Sequence, residues 1–170
     1  AARAQREGRF TSIMPVSTSR GVVATDECVR ADITSAQLAR LPPAFAALGA
    51  AGADKVQLAA YPELGEIQHV HTAGNSPAMC DAAALVLLGD ATFGERSGLT
   101  PKARLVASTT ACAEPLEVVS GCVAVTEKLL RDNRLSAHQV DLFEIHEAFA
   151  ATVIKTRETL EIENDRLNVN

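Results

Sequence analysis

The segment that most constrains the fold is Asp141 to Ala151, with the sequence D-L-F-E-I-H-E-A-F-A-A. Apolar residues lie beside acidic ones in its first half and at the position just before it, as in a buried parallel strand: Val140, Leu142, Phe143 and Ile145. From Glu147 onward the alanine-rich sequence predicts a helix. His146 therefore lies at a strand-to-helix junction, where open α/β sheets bind ligands and helix N-termini present free N–H groups. We take His146 as the first candidate functional residue.

Short predicted strands alternate with predicted helices along the chain, which indicates an α/β fold. The sequence contains no internal repeat and no low-complexity tract. The expected elements are extended structure in residues 10–29 with a turn at 17–20, a helix in 35–40 capped by residues 32–34, a loop in 49–66, a helix to about residue 83 followed by a central strand to 88, a strand in 103–108, a helix in 120–131 and a helix in 147–161.

Composition narrows the possible partners. The 170 residues are 47% hydrophobic, which is enough for a core, and the formal net charge of -5 argues against nucleic acid or an anionic membrane as a partner. No apolar run approaches the ~20 residues of a membrane span, and no signal peptide is visible. The four cysteines have no C-x-x-C spacing, which favours a reducing cytoplasm.

Two metal-site interpretations are weak. A zinc protease motif needs a second histidine one helical turn after His146-Glu147, and that position is Ala150. His69 and His71 could place two imidazoles on one strand face, with Cys80 or Asp81 completing a site. A histidine pair at a strand edge is the commoner outcome, so we expect no metal.

Cys122 follows Ser120-Gly121 at a predicted helix start, where the helix dipole would lower the pKa of a thiol and favour a nucleophile. A small residue packed in the first helical turn is the simpler interpretation, and it applies also to Cys112 and Cys80. His146 by itself could equally be a histidine satisfied within the core.

Several motifs together resemble the thiolases, the acyltransferases that make or cleave 3-ketoacyl-CoA. The similar stretches, in family order, are A-x-x-A-Q-R-E-G-R-F, H-T-A-G-N-S followed by D-A-A-A, L-T-P-K-A-R-L-V-A, D-L-F-E-I-H-E-A-F-A and N-V-N. The finer resemblance, from the insertion at 49–66 and from His146 in place of Asn, is to the thiolase subunit of fatty-acid β-oxidation trifunctional complexes.

The resemblance implies a fold and a division of the chain. The fold would be thiolase-like α/β, with mixed five-stranded sheets covered by helices on both faces and incomplete in this chain. Residues 1–72 would end the loop domain, 73–99 would end the N-terminal core domain, and 100–170 would form a truncated C-terminal core domain. We expect the chain to be an internal piece of a thiolase.

The resemblance also implies roles. His146 would help to hold a water that stabilises the thioester oxyanion. CoA or acyl-CoA would be a substrate and no cofactor would be covalently bound. The substrate-binding positions would be Ala73, Gly74, Asn75 and Ser76 at the pantetheine turn, Phe149 along the tunnel and Arg20 at the nucleotide end.

Departures from the family pattern leave a second hypothesis open. Pro77 replaces a usual serine and Ala82 a usual glycine, and the sequence contains neither a C-x-S-G nor a G-H-P segment. By itself the chain should therefore be inactive. The alternative is a non-catalytic thiolase-like module that binds acyl-CoA or serves in assembly. Expected partners are acyl-CoA, CoA and further copies in a dimer or tetramer, or a β-oxidation complex.

Overall fold

The computed structural model describes residues 1–170, which form short helices, one hairpin and one isolated parallel bridge. The helices are α1 (Ala2–Arg6), α2 (Ser35–Leu38), α3 (Ala46–Leu48), α4 (Asp54–Ala60), α5 (Ala91–Ser97), α6 (Gly121–Asp132) and α7 (Ala150–Leu160). The hairpin strands are β1 (Val16–Thr18) and β2 (Gly21–Val23). A π-helical turn spans Gly49–Ala53, and 3-10 turns span Pro62–Leu64, Pro115–Glu117, Ala137–Gln139 and Asn164–Arg166.

Local sequence signals produce several of these elements as expected. β1 and β2 pair antiparallel across the predicted turn, in the register Val16 with Val23 and Thr18 with Gly21. α2 begins with a capping box in which the Thr34 hydroxyl accepts from the Gln37 N–H and the Gln37 side chain accepts from the Thr34 N–H. The helices predicted in 120–131 and 147–161 correspond to α6 and α7. The start predicted at Glu147 is wrong, because α7 begins at Ala150 and His146 lies four residues before it.

The prediction of a loop in residues 49–66 is wrong. The segment contains the π-helical turn, α4 and a 3-10 turn. α4 forms because Asp54 to Ala60, D-K-V-Q-L-A-A, consists largely of good helix formers. The acidic Asp54 in the first turn also complements the helix dipole. Its carboxylate lies 3.0 Å from His69 Nε2, and this contact ties the helical insertion to the segment before the Gly74 turn.

The predicted helix ending near 83 and the strands predicted to 88 and over 103–108 are absent. Residues 77–90 and 99–114 have no regular structure, and their apolar side chains are open to solvent, with Leu85 97% and Leu105 72% exposed. A strand exists only when its N–H and C=O groups find a partner strand. These segments find none within the 170 residues, so the predicted five-stranded sheets reduce to a hairpin and a bridge.

The core gathers around the predicted strand Val140 to Ile145. Phe143 bridges Leu167 in parallel, and these two side chains bury against Ile162. α7 covers the cluster with Val153 and Leu160. Ile154 is 46% exposed, and the buried residues of α7 are Thr152 and Thr156. None of the helices combines the length and the apolar character that crossing a bilayer would require.

Candidate functional site

The turn predicted to bind pantetheine lies against the start of α7. The Ala150 N–H donates to the Asn75 carbonyl oxygen over 3.2 Å. The turn is thereby held beside Phe149, the residue that precedes α7. Two parts of the predicted site that are distant in the sequence are therefore adjacent in the structure.

The turn itself is held together by its own side chains. Asn75 Oδ1 accepts from the Thr72 N–H at 2.7 Å, and Asn75 Nδ2 donates to the Val70 carbonyl at 3.0 Å. The Ser76 hydroxyl donates to the Thr72 carbonyl at 2.7 Å, and the Gly74 N–H donates to the Thr72 hydroxyl at 3.2 Å. These polar side chains shape the backbone, so what the turn offers a ligand is mainly backbone and small side chains, including that of the exposed Ala73.

Gly74 lies close to α2 and to the residues that follow it. A Cβ at this position would meet the terminal methyl groups of Leu38 and Leu41, which would have to shift. Arg30 supports the same turn, because its Nη1 donates to the Ala73 carbonyl at 3.3 Å. Sequence reasoning missed Arg30, and nothing in its local pattern points to this role.

An aromatic cluster forms the apolar wall next to the turn. The Phe149 ring lies 5.7 Å from Phe45 and 4.6 Å from His71, measured between ring centroids, and Phe45 and His71 are 6.1 Å apart. The Nε2 atom of His71 is buried without a hydrogen-bond partner. The resemblance predicts Phe149 along an apolar surface, and in the structure its ring packs with those of Phe45 and His71.

His146 lines a cavity of about 460 Å³. The cavity lies between α6, the start of α7 and the segment before α6, and its other lining residues are Thr109, Thr110, Ala111, Val118, Val119, Gly121, Cys122, Val125, Ala148 and Thr152. The cavity is widely open to solvent, and its lining combines apolar side chains with a few polar groups.

Asn168 bonds the backbone of Ile145 before His146 and the side chain of Glu147 after it. Its Oδ1 accepts from the Ile145 N–H at 2.8 Å, and its Nδ2 donates to the Ile145 carbonyl at 3.0 Å and to Glu147 Oε1 at 2.8 Å. The Asn168 N–H also donates to the Phe143 carbonyl at 2.9 Å. The N-V-N motif contains this residue, but only the structure shows that it supports the segment that carries His146.

The outer wall of the cavity is attached to α6 by Lys128. Its Nζ donates to the Thr109 hydroxyl at 2.7 Å and to Asp132 Oδ2 at 2.6 Å. The hydrogen bond from Lys128 to Asp132 lowers the pKa of the Asp132 carboxyl from its ordinary value of 3.8. Val118, which also lines the cavity, has φ 56°, a region that β-branched residues rarely adopt.

The remaining candidates lie apart from this assembly. Arg20 sits in the exposed β1–β2 turn, where its N–H donates to the Thr18 hydroxyl. His69 and His71 have different neighbours, Asp54 and the two phenylalanines, and no three His, Cys, Asp or Glu residues gather as a possible metal site. All four cysteines are free thiols, and of these Cys122 shares the cavity with His146.

Comparisons with known proteins find relatives over nearly the whole chain. Residues 99–170 match the family model "Thiolase, C-terminal domain". The 3-oxoadipyl-CoA/3-oxo-5,6-dehydrosuberyl-CoA thiolase of Escherichia coli is 33% identical over 99% of this chain and 39% of its own length. An acetyl-CoA acetyltransferase of Thiocystis violacea is 32% identical over 97% of this chain and 38% of its own length.

A solved structure shows the same fold. The crystal structure of the Bacillus anthracis acetyl-CoA acetyltransferase superimposes with a TM-score of 0.78 at 29% identity, over 99% of this chain and 39% of that one. The chain thus spans about two fifths of the length of the relatives it matches. Its helices and small sheet are part of the α/β thiolase fold, and the chain belongs to the thiolase family.

Proposed function

We propose that this chain supplies the oxyanion-stabilising and pantetheine-binding part of a thiolase active site. The reaction is the thiolytic cleavage of 3-ketoacyl-CoA or its reverse, a Claisen condensation. The observation that carries the proposal is the placement of His146 at the edge of a 460 Å³ cavity, on a backbone segment held by Asn168. The turn at Asn75, bonded to the start of α7, adds a second binding element.

His146 acts through electrostatics. A thioester carbonyl that is attacked by a thiol or a carbanion develops negative charge on its oxygen, and preorganised hydrogen-bond donors lower the energy of that state. The His146 ring, positioned by the bonds of Asn168 to its neighbours, donates to this oxygen through a bound water. The nucleophilic cysteine and the proton-transferring histidine of the reaction come from C-x-S-G and G-H-P segments, which these 170 residues do not contain.

The pantetheine arm lies between the turn at residues 73–76 and the aromatic cluster. Small side chains at Ala73 and Gly74 let the arm approach the backbone, and the Phe149 ring gives its methylene groups an apolar contact. Arg20 at the nucleotide end stays a prediction, because its side chain makes no contact with this assembly. Arg30, which bonds to the turn, is a second candidate for the polar end of CoA.

Further properties follow from the same proposal. The names of the relatives include different acyl groups, among them 3-oxoadipyl and acetyl. A function like that of the thiolase subunit of trifunctional complexes is therefore one proposal among several for the substrate class. The exposed apolar residues at 85–88 and 105–106 are open to packing by other parts of a thiolase chain or by a second copy in a dimer or tetramer. Four free thiols support a cytoplasmic location.

The experiment is the His146→Ala substitution in the protein that carries this chain. We expect the turnover number for thiolysis of acetoacetyl-CoA to fall on the order of a hundredfold, as on losing one oxyanion donor, with CoA affinity largely kept. The matched control is His138→Ala, at an exposed histidine outside the cavity. An unchanged turnover number for His146→Ala would exclude the role.

The second candidate function is a non-catalytic module that binds acyl-CoA. It is favoured by Pro77, which replaces a hydroxyl of the family turn. Binding of acetyl-CoA without thiolysis by the protein that carries the chain would select this function. The 170 residues alone should show no thiolysis, and cysteine-dependent turnover by them would point to Cys122.

A further inference from the structure

The cavity beside His146 leaves one of its own polar side chains without a partner. Thr152 lines the cavity and is only 6% exposed, yet its hydroxyl makes no hydrogen bond. By contrast, the hydroxyl of Thr126 donates to the Cys122 carbonyl at 2.7 Å, and that of Thr156 donates to the Thr152 carbonyl at 2.8 Å. A buried hydroxyl without a partner is costly, so Thr152 indicates that a ligand group enters the cavity.

Cys122 places a thiol in the same cavity. It is half-buried, whereas the other three cysteines are exposed and lie outside the cavity. It is the second residue of the 12-residue α6, whose N-cap residue Ser120 makes no side-chain cap bond. The first N–H groups of a helix lack internal acceptors and favour negative charge, and the thiolate is the nucleophilic form of cysteine. Cys122 is therefore the cysteine placed to react with a ligand in the cavity.

The proposed function brings a second sulfur to this cavity, that of CoA. His146 acts on the carbonyl oxygen of a thioester, and the sulfur is bonded to the same carbonyl carbon. The pantetheine arm reaches this point past Phe149, three residues along the chain from His146. Because the cavity is widely open to solvent, a disulfide of CoA can enter with one of its halves while the other stays outside.

We infer that Cys122 is a redox-sensitive modification site, which forms a mixed disulfide with CoA and thereby closes the cavity to substrate. The oxidant is CoA disulfide. The Cys122 thiolate attacks one of its sulfurs, a bond forms between Cys122 and that CoA, the original S–S bond breaks, and the second CoA leaves as a thiol with the proton that Cys122 lost. Dithiothreitol reverses the modification, because its two thiols release Cys122 and CoA as thiols and close into a cyclic disulfide. The modification rests on the proposed function, because that function brings CoA to the cavity.

The test treats the protein that carries this chain with CoA disulfide and maps the product by mass spectrometry. Cleavage after glutamate yields the peptide 118–127, which contains Cys122 and is separated from Cys112 at Glu117. This peptide should carry CoA and should lose it in dithiothreitol. Glutathione disulfide should label Cys122 about tenfold more slowly, because it lacks the arm and the nucleotide that hold CoA at the site. The exposed Cys112 should react with the two disulfides at similar rates.

Occupancy of the site provides a second readout in the wild-type protein. Desulfo-CoA binds as CoA does but has no thiol, and at ten times its dissociation constant it should slow the labelling of Cys122 about tenfold. CoA disulfide should also lower thiolysis of acetoacetyl-CoA, and dithiothreitol should restore it. Cys122→Ser should keep a larger share of its own untreated activity, whereas the matched control Cys112→Ser should lose the same share as the wild type.

An equal preference for CoA disulfide at Cys122 and Cys112 would overturn the inference, as would labelling of Cys122 that desulfo-CoA does not slow. Equal losses of activity in Cys122→Ser and the wild type would show that the modification does not close the cavity. Thiolysis by the untreated protein is measured separately. Selective labelling of Cys122 without thiolysis would keep the modification site and refute the proposed function, and thiolysis without selective labelling would do the reverse.

Discussion

Asn168 offers the sharpest test of how the chain positions His146. Replacing it with alanine removes the side-chain hydrogen bonds to the Ile145 N–H, the Ile145 carbonyl and Glu147. Each net bond is worth about 0.5–1.5 kcal/mol, so their loss should lower the free energy of unfolding by about 2–3 kcal/mol. Asn168 also has φ 45°, where alanine costs about 1 kcal/mol more than glycine.

Replacing Asn168 with glycine and with alanine therefore separates the cost of backbone strain from the cost of the lost hydrogen bonds. Asn168→Gly should cost about 2–3 kcal/mol and Asn168→Ala about 1 kcal/mol more, measured by urea denaturation. In the protein that carries this chain, both should lower the turnover number for thiolysis with little change in CoA affinity. The cause is that the His146 segment loses its support, whereas the Asn75 turn keeps its bonds.

The matched control is Asn133→Ala, which removes one bond to the Leu129 carbonyl at the far end of α6. It should cost about 0.5–1.5 kcal/mol and leave turnover unchanged. Wild-type turnover in Asn168→Gly would refute the positioning argument, even if the variant is less stable. Equal stability of the glycine and alanine variants would refute the strain argument.

Three further predictions concern the walls of the site. The hydrogen bond from Lys128 lowers the pKa of Asp132, so the folded state favours the ionised carboxylate. The stability that this ionisation contributes is fully present above the ordinary pKa of 3.8. It is lost as the pH falls through the pKa of the folded state. The destabilisation caused by Asp132→Asn, measured by urea denaturation, should accordingly shrink between about pH 6 and about pH 3, and a constant difference would contradict it. Gly74→Ala should lower the unfolding temperature only slightly, because the leucine methyl groups that its Cβ meets can shift, whereas Gly98→Ala, with open space around it, should cost the strain of φ 67°. A larger fall for Gly74→Ala than for Gly98→Ala, measured by thermal unfolding, would contradict this. Val118→Gly should relieve the strain of φ 56° and raise the unfolding temperature, and a fall would show that the Val118 side chain contributes more than the strain costs.

Local elements were predictable where neighbouring residues carry the signal. The Thr34–Gln37 and Ser136–Gln139 capping boxes can be read from residues three positions apart, and both form. α6 and α7 follow from helix formers with apolar spacing. The apolar run at 84–88 reads equally as strand or helix and forms neither, because strand formation depends on a partner elsewhere in the chain.

The candidate site divides in the same way. His146 and the turn at residues 73–76 could be named from motifs, because their residue types and order resemble a known family. Arg30 and the role of Asn168 could not, since each matters through a contact between residues distant in sequence.

The sequence by itself determined the family and the starts of α2 and α6, and it predicts His146 as a site residue, because motif order and capping act over a few residues. Only the tertiary structure decided which of these residues meet. The bond from Ala150 to Asn75 and the bonds from Asn168 to Ile145 and Glu147 join segments far apart in the chain. Hydrogen bonds and burial depend on distances in space, and no local pattern specifies those distances.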